Sequence, residues 1–152
     1  MGLLGDTRRA MSQDRLAMIY RRGMEAYSRG DYDAAVEFFD RGIEWEVDSR
    51  LAPDPMTYYG HDGVKQFWET WAEAFSGMVL EIEECRSVAP RRVFAITRAR
   101  GLGTGSGAPV ASRPFGQLAD FDGDRVVRVR VYGDIRDALE AAGLAEQPPK
   151  DA

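Results

Sequence analysis

From Asp14 to Arg29 the chain places Leu16, Met18, Ile19, Met24 and Tyr27 at roughly helical spacing, which predicts a first helix over 14–29. Gly30 stops it, and Asp31 is a good N-cap for a second helix over 31–40, carrying Ala34, Ala35, Phe38 and Phe39. At Ile43 the period falls to two. Ile43-Glu44-Trp45-Glu46-Val47-Asp48 alternates as a short strand does. Ser49 to Gly60, with Pro53 and Pro55, reads as a loop. Val64, Phe67, Trp68, Trp71, Ala72 and Phe75 then form the wide apolar face of a third helix over 62–76. Four strand-like segments follow at 79–88, 92–102, 110–121 and 125–132. Their turns are marked by Pro90, by the glycines between Gly101 and Gly107, and by Asp122-Gly123-Asp124. A last helix over 135–142 closes at Gly143.

Helices, then a meander of strands, then one helix predict an α+β domain over 13–145, with flexible tails at 1–12 and 146–152. The later strands lack crossover helices, so the sheet is expected to be antiparallel. A chain of 152 residues suits one such domain, and 44% apolar with 30% charged residues suits a folded soluble one. The net charge of −5 argues against a nucleic-acid partner. With Cys85 and His61 each alone of their kind, no internal disulfide, cysteine metal site or multi-histidine metal site is expected. No cofactor is expected. No apolar run approaches the roughly 20 residues that span a bilayer, so no membrane partner is expected, and a cytoplasmic location is.

Three stretches imitate motifs without meeting their requirements. AYSRGDYDAAVEFFDRGIE looks like one tetratricopeptide unit, but no second copy follows and the next segment alternates as a strand. GLGTGSG lacks the lysine of a P-loop and lies between two strands, so it reads as a β-turn. Arg98, Arg100, Arg128 and Arg130 read as a sheet surface pairing with Glu81 and Glu83, in preference to an anion site.

Taken in order, GDYDAAVEFFD, IEWEVD, YYGHDGVKQFWETWAEAF, RARGLGTGSG and VVRVRVYGDIRDALEAAGL resemble the SnoaL-like branch of the nuclear transport factor 2-like superfamily. The resemblance spans about Arg15 to Leu144. It implies a strongly curved sheet wrapped on helices to form a cone with an apolar pocket, and a homodimer. It does not bring the known catalytic sets with it. Where ketosteroid isomerases carry a tyrosine, a general-base aspartate and a protonated aspartate, this chain has Gly23, Val47 or Asp48, and Gln117. The arginine and two aspartates of limonene epoxide hydrolases fall at Thr97, Ala99 and Val131. Val131 also stands near the last-strand aspartate of the polyketide cyclases.

If Gln117 faces the cone, period two turns Arg113, Phe115 and Ala119 inward with it. Pairing Gln117 with about Val129 puts Val127, Val129 and Val131 inside, opposite Ala95, Thr97 and Ala99. Phe94, Ile96 and Leu118 then lie outside beside the arginines, an apolar patch suited to a dimer partner. Trp45, Tyr59, His61, Trp68, Thr97, Phe115, Gln117, Val129 and Val131 are the candidate ligand contacts. Asp48 and His61 are the candidate acid–base groups, because a carboxylate in partly buried surroundings can serve as a base and histidine is the residue type whose ordinary range lies near neutrality. Three readings stand open. They are an enzyme on an apolar carbonyl compound (isomerase, cyclase or hydrolase), a non-catalytic binder of an apolar small molecule, and a dimeric interaction module whose cone is filled by Trp45, Trp68 and Phe115.

Overall fold

The structure, a computed structural model, describes residues 2–48 and 56–144, the side chains of 2–14, Met56 and Ala74 apart. The expected tail 146–152 lies outside the described residues. The first helix, α1 (Gly2–Ser28), starts well ahead of Asp14, so the backbone over 2–12 is helical although its apolar spacing gave no helical signal. Asp31 caps α2 (Tyr32–Val36) by accepting from the Ala34 amide at 3.1 Å. The expected helix over 31–40 ends early because the chain at Phe39 is taken into the sheet. There Phe39 pairs with Val126, and the Val126 amide donates to the Phe38 carbonyl. Pairing across the fold overrides local helical preference.

Strand β1 (Phe39–Val47) therefore begins four residues before Ile43 on the same line of chain. The expected loop contains a strand, β2 (Met56–Tyr59), antiparallel to β1. Helix α3 (Gly60–Ala74) carries Val64, Phe67, Trp68 and Trp71 of the predicted apolar face on its buried side, while Ala72 is exposed and Phe75 already belongs to the next strand. It leads into β3 (Phe75–Ala89), which pairs along most of its length with β4 (Arg92–Gly103). Three register shifts along that pair bend both strands. The expected single strand over 110–121 is two, β5 (Pro109–Ala111) and β6 (Phe115–Asp122). Pro114 has no ladder donor, and the Ser112 hydroxyl replaces a strand carbonyl by accepting from the Ala99 amide at 2.9 Å. Strand β7 (Arg125–Tyr132) and helix α4 (Ile135–Ala141) complete the chain.

The sheet order is β2-β1-β7-β6-β4-β3, with β5 against β4, in a curved sheet that does not close. It is mixed rather than wholly antiparallel, since β1 and β7 run parallel. That pair needs no crossover between adjacent strands; the whole meander lies between its two members. The inner face packs on α1, α2 and α3 in one core that includes Tyr20, Met24, Phe39, Ile43, Trp45, Val64 and Trp68.

Two details of facing differ from the expected pattern. Gln117 pairs with Val131, and a bulge between Asp120 and Phe121 shifts the hairpin by one residue. Val126 is thereby turned into the core, while Val127, expected inside, is only half-buried. Arg113 is exposed because the break at Pro114 interrupts the period-two pattern before β6 begins. The outer apolar patch is not open either. Phe94 and Leu118 are fully buried against Ala138, with Ile96, Leu139 and Ala142 around them, so α4 occupies the face expected to receive a dimer partner. A Cβ on Gly116 would lie 2.3 Å from the Ala138 Cβ, which is how closely α4 sits on β6.

Candidate functional site

Between α1, α3 and the inner face of the sheet lies a cavity of about 120 Å³. Trp45 and Val47 of β1, Trp68 of α3, Phe115 and Gln117 of β6 and Val131 of β7 form its deep wall. Half-buried Phe67, Trp71, Met78, Leu80, Ala99 and Ser112 form the side nearer solvent. The rings hold one another. Trp45 and Trp68 stand at 88° with centroids 5.7 Å apart, and Tyr27 meets the Trp68 ring edge-on at 5.0 Å. Burial, and secondarily Tyr32, pushes the Tyr27 phenol far above its ordinary pKa, so it stays neutral at any working pH.

A side-chain amide lines the deep part of this largely apolar wall. Gln117 is 2% exposed, and its Oε1 accepts from the fully buried Thr97 hydroxyl at 3.1 Å. Among the described residues its amide nitrogen has no acceptor and is open to the cavity. The Trp45 indole N–H is also buried without a partner among them.

Of the candidate contacts, Trp45, Trp68, Phe115, Gln117 and Val131 come together at the cavity. Thr97 lies behind Gln117, and Val129 is sealed in the core. Tyr59 is 66% exposed and sits away from the lining, because the β2 pairing turns it outward. His61 is spent on structure: its Nε2 lies 2.9 Å from the Phe39 carbonyl, donating to it and pinning the start of α3 to β1. Asp48 is in a different cleft, with Glu46, Arg130, Tyr132 and Asp137, where it accepts from the Gly133 amide at 3.1 Å. Neither proposed acid–base group reaches the cavity. Trp71, which with Trp45 and Trp68 offers a broad apolar wall, lines the cavity as well. Tyr27, Val47, Phe67, Met78, Leu80 and Ser112 were not among the candidates, and of these Phe67 alone announced itself, through the α3 helical face.

On the outer face the arginines are partnered. Arg98 meets Glu83 at 3.0 Å, Arg100 meets Glu81 at 2.8 Å, and Arg128 meets Glu46 at 2.5 Å. Arg130 stands 3.8 Å from Asp120. They form a charged sheet surface, as their alternation predicts.

No grouping of histidine, cysteine or carboxylate side chains among the described residues could hold a metal ion. No helix among them is long and apolar enough to cross a membrane.

A curved sheet wrapped on three helices around an aromatic cavity defines an α+β cone with an internal pocket. Known proteins share that architecture. The SnoaL-like domain model matches residues 20–129, and the chain belongs to that family. A nuclear transport factor 2-like protein of unknown function from Burkholderia pseudomallei is 19% identical, with a TM-score of 0.69 over 88% of this chain and 98% of that one. A putative SnoaL-like polyketide cyclase from Jannaschia is 18% identical, with a TM-score of 0.67 over 90% of this chain and 95% of that one. A putative polyketide cyclase from Xanthomonas campestris is 16% identical, with a TM-score of 0.65 over 86% and 98%. Among curated proteins none matches.

Proposed function

We propose that the chain binds a small apolar compound bearing one hydrogen-bond acceptor, such as a carbonyl, with Gln117 as its polar anchor. The observation that carries this reading is the buried Gln117 amide, open to a cavity whose lining is, Ser112 apart, aromatic and aliphatic. Such a wall with a few placed polar groups is what a small-molecule site requires. Size narrows the ligand. A dry cavity of roughly 150 Å³ holds benzene, so about 120 Å³ takes a single ring or less, with any further part of the ligand lying toward the half-buried side.

The neighbours named polyketide cyclases suggest carbonyl substrates. Among the described residues, however, the lining here holds no carboxylate, imidazole or amine to move a proton. Binding is therefore favoured over turnover. The three tryptophans line the cavity, so their fluorescence reports occupancy. Titration with benzaldehyde should give a saturable change in the wild type and a much weaker one in Ala99→Leu, which fills the space. Absence of saturable binding by any single-ring compound would falsify the reading.

A further inference from the structure

We infer that Thr97 is a specificity-determining residue, holding the Gln117 amide so that the cavity offers a hydrogen-bond donor and selects ligands that accept. This rests on the binding reading above.

An amide turned by 180° would present the opposite polarity to the ligand, so something must decide which end faces inward. Thr97 is 0% exposed and its hydroxyl carries one proton to place. Among the described residues the only acceptor within its reach is Oε1 of Gln117, at 3.1 Å. With the amide turned, the NH2 group would donate to the Thr97 oxygen. The hydroxyl proton would then have no acceptor, in a place no water reaches. An unpaired buried donor is costly, so the turned state is disfavoured. The amide nitrogen is left facing the cavity, where it has no protein acceptor. A ketone, aldehyde, ether or ring nitrogen satisfies it; a ligand that can only donate leaves it unpaired. Backbone pairing adds rigidity. Thr97 and Gln117 lie on β4 and β6, which are paired directly on both sides of this contact.

The test uses the full chain and three single-ring probes, namely toluene, benzaldehyde and pyrrole. Wild type should prefer benzaldehyde over toluene by about tenfold, the worth of one hydrogen bond, and should bind pyrrole no better than toluene. Thr97→Val should shrink the benzaldehyde preference several-fold and improve pyrrole, because the freed amide can turn. Thr97→Ser should keep the wild-type preference. A purely structural role would lower stability in the variants without moving these ratios. An unchanged preference in Thr97→Val, or its equal loss in Thr97→Ser, overturns the inference. If toluene and benzaldehyde both fail to bind wild type, the binding reading fails. The inference is then decided without ligand, by proton NMR of the Thr97 hydroxyl. A downfield, slowly exchanging resonance supports it, and a rapidly exchanging one overturns it.

Discussion

Gln117 and Thr97 have to be judged together, because the Gln117 Oε1 is the acceptor that the fully buried Thr97 hydroxyl uses. Replacing Gln117 by leucine suits the apolar wall in shape but strands the Thr97 hydroxyl. Gln117→Leu should therefore lower stability by about 1–3 kcal/mol, and adding Thr97→Val should recover much of that loss in urea unfolding. The single change should also weaken a carbonyl ligand about ten- to a hundredfold, read by tryptophan fluorescence. Trp68 is a different kind of wall residue. It is 3% exposed and its ring contacts those of Tyr27, Tyr32, Phe39 and Trp45. Trp68→Ala is expected to cost about 3–5 kcal/mol as a core truncation. A shift in the urea midpoint worth less than about 1 kcal/mol would mean that the ring is held by the cavity alone.

Among the elements, α4 is the one whose place depends on a single missing side chain. Gly116 lets it lie directly on β6, since an added Cβ would meet that of Ala138 at 2.3 Å. Gly116→Ala should lift α4, cost about 1–3 kcal/mol as overpacking, and speed amide hydrogen exchange in 135–141. Pairing it with Ala138→Gly removes the clash at the expense of roughly 1 kcal/mol of helix propensity, so slow exchange should return. If Gly116→Ala alone leaves exchange in α4 untouched, the helix is held elsewhere. Lifting α4 also uncovers Phe94 and Leu118, and the single variant should associate more at micromolar concentration than wild type does.

Over the whole molecule, alkaline pH acts on neutral groups inside the fold, the Cys85 thiol and the phenols of Tyr20 and Tyr27 among them. Burial pushes the Cys85 thiol from its usual value near 9.0 up to about 11, against a smaller opposite pull from Arg21. Tyr27 is raised from 10.0 in the same direction, by burial and then by Tyr32. Folded-state pKa values above the unfolded ones mean that the unfolded chain loses these protons first. Stability is then intact below about pH 9 and falls as pH rises toward 11 and beyond. Urea midpoints measured from neutrality upward should show this decline, and Cys85→Ala should flatten its first part. A decline of the same shape in that variant would assign it to other groups.

Local pattern was enough for most of the α3 face and for the β3–β4 and β6–β7 hairpins; the inward row Phe115, Gln117 and Ala119 also needed the family resemblance, which set Gln117 toward the cone. Each depends on a period of two or 3.6 residues within one segment. Resemblance in the order of those segments was enough for the cone. Contacts between distant segments were decided only in three dimensions. The parallel pairing of β1 with β7 drew Phe39 out of a helix, and the bulge at Asp120 exchanged Val126 for Val127. The docking of α4 closed the outer patch, and His61 was committed to the Phe39 carbonyl. The site follows the same division. The family resemblance could set Gln117 toward the cone, but its partner stands 20 positions away and bonds to it only because β4 and β6 are neighbours. A side chain's face is a property of its own strand; what it touches there is a property of the whole fold.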